Sequence, residues 1–168
     1  MATDLSPADL AALRAAIAQS AVAKAAGHQP YGAVLAAPDG RVLAQAHNTQ
    51  GPSAHGTGAN LAHRGDQITG HAELNLVRDA ARTLGPAALH GATVYASGEP
   101  CPMCAGALYW AGVRRVVFAL SVDSMRELNG PDSVLPLRCA AVMAGGTRGV
   151  LVDGPALEDE ARAVFGRP

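Results

Sequence analysis

The chain has 168 residues, of which 49% are apolar and 16% charged, and its formal net charge is -1. This balance excludes a disordered chain, because there is enough apolar surface to offset the entropy of ordering. It also gives no overall attraction to nucleic acid, and no apolar run approaches the ~20 residues that span a bilayer.

The length fits a single domain over residues 1–168, large enough to bury a substantial core. Met1-Ala2-Thr3-Asp4 lacks the basic start and apolar stretch of a signal peptide. The three cysteines are too few for a disulfide framework. A cytoplasmic, reducing location is the expectation. Twelve of the thirteen basic residues are arginine, scattered except for Arg114-Arg115; the solvated end of a strand accounts for that pair.

In chain order, Ser6-Pro7 reads as an N-cap followed by proline at the first helical position, with Asp9 in the first turn. Leu10, Leu13, Ile17 and Val22 supply an apolar face through about Ala26, and Gly27 stops the helix. Tyr31 to Ala37 and Arg41 to His47 read as a hairpin around Pro38-Asp39-Gly40. Residues 48 to 69 carry five glycines or prolines without periodicity and read as a long loop containing His55 and His63. Exposed loop histidines are the default for both, against a substrate or zinc contact.

His71 opens a helix that turns Leu74, Val77, Ala81 and Leu84 inward and ends at Gly85-Pro86. Thr93 to Ser97 is a strand, Pro102 starts another helix, and Val113 to Leu120 is a strand. Residues 121 to 146 give only a short helix around Leu137 to Ala144. A last strand covers Gly149 to Val152, and a last helix Pro155 to Phe165. The sum is an α/β domain: a mixed five-stranded sheet between helices, in three α/β/α layers.

Two motifs carry chemistry: His71-Ala72-Glu73 and Pro100-Cys101-Pro102-Met103-Cys104. One imidazole and two thiolates suit zinc better than oxygen-seeking magnesium or calcium. Structural zinc sites close with four protein ligands, whereas three leave a position for water, whose pKa the ion lowers to roughly 7. Both motifs fall at helix N-termini, where thiolates are favoured even before metal binds.

Glu73 is too few residues from His71 to be a comfortable further ligand, but it can relay protons between that water, a ring nitrogen and a leaving amine. A lone C-x-x-C also fits a redox pair or a structural zinc knuckle. With Cys139 the only other cysteine, a four-cysteine site is impossible; Cys139 reads as a core or lone surface thiol, with a fourth-ligand role open in principle. The H-x-E…P-C-x-x-C order resembles the signature of zinc deaminases.

On these motifs the chain resembles the cytidine deaminase-like superfamily from about Pro30 to Phe165. Within it, Gly98-Glu99-Pro100-Cys101-Pro102-Met103-Cys104-Ala105-Gly106-Ala107-Leu108-Tyr109-Trp110-Ala111 is most similar to the nucleobase deaminases of guanine deaminase type, and next to bacterial tRNA adenosine deaminases. The resemblance implies one zinc ion per subunit on His71, Cys101 and Cys104, and Glu73 as the catalytic proton shuttle. It implies a hydrolytic aminohydrolase acting on a small-molecule base, and a homodimer built through the sheet-flanking helices.

The resemblance implies further substrate contacts. Asn48 would hydrogen-bond the base, or else simply form a turn. Ala72 would offer its backbone N–H to a ring carbonyl. Tyr31 would lie near the base, or else in the strand core. Trp110 would form pocket wall, or else pack on its helix. Asp123 would read or protonate the ring, and Phe165 would close over the substrate.

Two departures bear on the substrate. The loop from Gly51 to Gly70 is longer than the family leads one to expect, and Phe165 cannot donate the hydrogen bond a tyrosine would. Guanine is therefore joined by cytosine, isocytosine, ammeline and nucleosides as candidates. A tRNA adenosine deaminase would be expected to carry a basic strip, whereas the last helix reads Glu158-Asp159-Glu160-Ala161-Arg162. A zinc-stabilised scaffold would have no use for Glu73.

Overall fold

The computed structural model describes residues 4–51 and 68–166; His55 and His63 lie outside them. Helix α1 spans Pro7–Ala25, and its Ser6 cap forms a capping box with Asp9. Strands β1 (Gly32–Ala36) and β2 (Val42–His47) are an antiparallel pair with a register shift between Leu35 and Ala36. Helix α2 is Ala72–Thr83, β3 is Thr93–Gly98, α3 is Pro102–Ala111 and β4 is Arg115–Leu120. Then follow α4 (Val122–Asn129), α5 (Cys139–Ala144), β5 (Leu151–Asp153) and α6 (Glu158–Phe165).

The sheet order is β2-β1-β3-β4-β5, antiparallel from β2 to β3 and parallel from β3 to β5. The parallel pairs follow from the crossovers through α3 and through α4–α5. Alternating strand residues feed two cores, one on each face. Leu35, Val94 and Val116 join Leu76, Leu108 and Met143 on the α2/α3/α5 face. Val34, Tyr95, Val117 and Ala119 join Leu13, Ile17, Met125 and Ala161 on the α1/α4/α6 face. The mixed five-stranded α/β expectation holds in this form.

Several local expectations are corrected. Val22, in the last turn of α1, and Leu84, the C-cap of α2, are exposed, at 46% and 48%. The inward stripe of α2 is Ala72, Leu76 and Ala80, with Val77 and Ala81 half-buried beside it. Helix α4 was not expected. It opens at Ser121, whose hydroxyl accepts from the Ser124 N–H, and buries Val122, Met125 and Leu128 at helical spacing. The last helix begins at Glu158 rather than Pro155.

Glycine is required at Gly32, where an added Cβ would lie 2.4 Å from the Ala16 carbonyl oxygen. That close approach seats α1 directly on β1. No described helix is long and apolar enough to cross a membrane.

Candidate active site and metal centre

The site forms where α2 and α3 begin. His71 is the N-cap of α2, Cys101 the N-cap of α3, and Cys104 lies in the first turn of α3 behind Pro102. The Cys101 sulfur bonds Cys104 in the first turn of α3, the His71 ring makes no capping hydrogen bond, and the three side chains converge on a common point. His71 Nδ1 lies 3.6 Å from Cys101 Sγ and 3.5 Å from Cys104 Sγ, and all three donor atoms lie within 4.8 Å of one another. Ligands at zinc–sulfur and zinc–nitrogen bond lengths in a tetrahedron stand about 3.6 Å apart. The donor set and its spacing therefore fit zinc. Among the described residues this three-ligand group is the one that could hold a metal. Cys139 is a fully buried core residue whose thiol is pushed up to about 12 by burial, with the nearby acids adding to it.

The electrostatics of the group suit a cation. Its hydrogen bond with Cys104 holds Cys101 down at about 4, against burial and with help from His71. The same contact, with burial, drives Cys104 well up. Burial opposes charge on His71, but the Cys101 and Glu73 neighbours outweigh it and raise its pKa. Glu73 is buried beside the triad, and desolvation raises its pKa although His71 opposes the rise. A raised carboxyl pKa suits a group that must both take and give a proton near neutrality.

A cavity of about 290 Å³ opens onto these groups, lined by His71, Glu73, Cys101, Asn48, Tyr31 and Asn129 among others. Asn48 is buried at the end of the hairpin, and its Oδ1 accepts the Gln50 N–H at 2.6 Å. That turn fixes the amide so that its Nδ2 is the group left for a ligand. The turn and contact readings of Asn48 are thus compatible. Ala72 is buried at the first position of α2, where helix geometry leaves its N–H without a helical acceptor. Tyr31 lines the cavity between the two cores, and burial raises its phenol pKa.

Three other expected contacts lie elsewhere. Trp110 is 76% exposed, edge-on to Tyr109 and stacked under the Arg148 guanidinium. It does not line the cavity, because its position on α3 faces away from the sheet. Asp123 points outward and pairs with Arg138 at 2.5 Å. Phe165 packs edge-on against Tyr31, with ring centroids 5.7 Å apart, so it backs the cavity wall rather than covering the opening.

Beyond placing Glu99 in the segment that carries the family resemblance, sequence reading gave it no contact, and it gave Met125, Asn129, Ser133 and Val134 no part. The last four line the cavity with Glu99. The Glu99 side chain is 2% exposed and accepts from the Cys139 N–H at 2.9 Å, the Val122 N–H at 3.1 Å and Arg138 at 3.2 Å. One carboxylate thus ties the turn before Cys101 to the starts of both α4 and α5. The adjacency of Glu99 to the cysteine motif was the available signal; its partners lie 23 to 40 residues away.

An α/β/α sandwich holding a His-Cys-Cys group beside a buried glutamate defines the zinc-dependent hydrolytic deaminase class. Comparison with known proteins agrees. Residues 7–120 match the family described as the cytidine and deoxycytidylate deaminase zinc-binding region. A probable cytosine deaminase of Schizosaccharomyces pombe is 33% identical over 95% of this chain and 91% of its own length. A tRNA-specific adenosine deaminase of Bacillus subtilis is 37% identical over 63% of this chain, which spans 58% of that relative. The X-ray structure of guanine deaminase from Bacillus subtilis superposes with a TM-score of 0.58 at 30% identity, over 74% of this chain and 71% of that one. The chain belongs to the zinc-binding cytidine and deoxycytidylate deaminase family, and it is a zinc-dependent aminohydrolase.

Proposed function

We propose that the protein removes the amine of a free nucleobase of guanine type as ammonia. The observation that carries a free base is the cavity. At about 290 Å³ it sits at the small end of the roughly 300–1,000 Å³ of small-molecule sites. Residues of α4 and of the segment after it, Asn129, Ser133 and Val134, wall it beside the metal ligands.

His71, Cys101 and Cys104 would hold the zinc, which when bound supplies the Lewis acidity that makes water nucleophilic at neutral pH. Glu73 takes a proton from the attacking water and passes it to the ring nitrogen beside the carbon under attack. As the exocyclic C–N bond between the attacked ring carbon and the amine breaks, Glu73 moves the second proton from the new hydroxyl to the departing amine, leaving a carbonyl and ammonia. Asn48 Nδ2 and the Ala72 N–H hold polar ring edges, and Tyr31 flanks the ring.

A second reading, cytosine, is favoured by the Schizosaccharomyces pombe relative, which matches 95% of this chain. The tRNA adenosine reading draws on the Bacillus subtilis relative. We also propose a homodimer, for which the exposed apolar Met103 and Trp110 on α3 offer one face.

Ammonia release from guanine, cytosine, isocytosine, adenine, ammeline, guanosine, cytidine and a tRNA transcript tests the reading. Release from guanine that is absent in Glu73→Ala is the expected result. Release confined to cytosine, to nucleosides or to the tRNA would replace guanine with that substrate.

A further inference from the structure

Asn129 is an exposed residue at the last position of α4 whose side chain lines the cavity. Its Nδ2 donates to Tyr31 Oη at 3.0 Å. That is the one hydrogen bond found for the Tyr31 hydroxyl among the described residues. A phenol has one proton to donate and lone pairs to accept with. Because Asn129 acts as the donor in that bond, the Tyr31 proton has no acceptor among the described residues and is left for a ligand.

The ring carrying this hydroxyl is held by two neighbours and by its own backbone. Phe165 meets it edge-on. Gly98 lies so close that an added Cβ would stand 3.1 Å from the Tyr31 ring. The Tyr31 backbone carbonyl accepts the Asn48 N–H at 2.9 Å. A donor whose position and direction are both fixed before the ligand arrives discriminates between ligands more sharply than a free one.

We propose that Asn129 is a specificity-positioning residue: by occupying the Tyr31 hydroxyl as a donor, it turns the phenol proton toward the cavity, where it selects heterocycles with a ring nitrogen or carbonyl acceptor at that edge. Asn129 Oδ1, which has no hydrogen bond of its own among the described residues, then accepts an N–H beside that acceptor. The pair thus reads an adjacent acceptor and donor on one edge of the base. The inference rests on the free-base reading above, and it adds which side chains choose the base.

The test is a binding cycle, with turnover measured alongside. Guanine and cytosine are titrated calorimetrically into zinc-loaded Glu73→Ala protein carrying no further change, Asn129→Asp, Tyr31→Phe, or both. A carboxylate at position 129 cannot donate, so the Tyr31 proton turns toward it and is lost to the ligand. Asn129→Asp should weaken the preferred base about tenfold, the worth of one hydrogen bond. In the Tyr31→Phe background the same change should cost less than about twofold, since the two act as one unit.

In otherwise wild-type protein, Asn129→Asp should raise KM and leave kcat within about twofold. Asn129→Gln, which can still donate, should recover most of the binding. Equal losses in both Tyr31 backgrounds, or no loss from Asn129→Asp, would overturn the pair while leaving the deaminase reading intact. A base that binds to wild-type protein but yields no ammonia would overturn that base as the substrate and leave the binding cycle to judge the pair. Zinc content and melting temperature of each variant identify any that misfold; Asn129→Gln then decides alone.

Discussion

Neutralising Asp9 should cost about 2.5 kcal/mol, and the cost should fade in acid. The Asp9 side chain is 12% exposed and joins three elements. Its Oδ2 accepts from the Ser6 N–H at 3.0 Å and the Ser6 hydroxyl at 2.8 Å. Its Oδ1 accepts from the Tyr95 hydroxyl and from Arg115, each at 2.7 Å. Arg115 in turn reaches Asp153 on β5 at 2.6 Å, so one chain of contacts runs from the cap of α1 across β3 and β4 to the sheet edge.

Burial alone would raise the Asp9 pKa, but the hydrogen bonds from Tyr95, Ser6 and Arg115 outweigh it and hold the carboxyl at about 2, from an ordinary 3.8. That difference corresponds to about 2.5 kcal/mol favouring the ionised form in the folded state. A depressed carboxyl contributes stability that is complete above the unfolded pKa and is lost as pH falls through the folded one.

Asn mimics the neutral acid, so Asp9→Asn should lower stability by about 2.5 kcal/mol at pH 7, or about 5–10 °C in Tm for a chain of this length. The gap should shrink to about half near pH 3. Urea unfolding of both zinc-loaded proteins between pH 7 and pH 3 measures it. Other acid-sensitive groups, the zinc ligands included, are common to both proteins and cancel in the difference. A gap below 0.5 kcal/mol at pH 7, or one that stays constant to pH 3, would refute the reasoning.

Glu73→Ala should retain one zinc per chain by elemental analysis while kcat falls at least about 10²-fold; near-normal turnover would remove Glu73 from the proton path. Gly98→Ala would put a Cβ 2.8 Å from Met125 Sδ, so a loss of about 1–3 kcal/mol in unfolding is expected, with a raised KM. Glu99→Gln keeps the shape but turns an NH₂ toward the N–H of either Val122 or Cys139. Unfolding should register a loss of about 1–3 kcal/mol, and hydrogen exchange should quicken at the starts of α4 and α5. Unchanged exchange there would show that Glu99 does not fasten those segments.

The convergence of His71, Cys101 and Cys104, and the place of Glu73 beside them, were legible in the sequence because ligand chemistry is tied to residue type and short spacing. A histidine two residues from a glutamate and a C-x-x-C after a proline need only two helix N-termini to become a site, and local signals mark both starts. The five strands and most helices were legible for the same reason, since a period of two or of 3.6 is a local property. Helix α4 was missed because its pattern is one short run of eight residues between polar neighbours, and only packing of Met125 and Leu128 against the sheet selects it.

The rest of the cavity depended on contacts between distant parts of the chain. Trp110 and Asp123 sit at plausible places in the order of residues, yet a helix turns one side chain to solvent and hands the other to Arg138. Asn129 stands 98 residues from Tyr31, and nothing local to either predicts that they meet. The sequence by itself determined the chemistry of this protein, because reactive groups are a matter of composition and spacing. Which side chains face the cavity was set by packing, because that depends on the direction each element presents once the sheet and its two helical layers are in place.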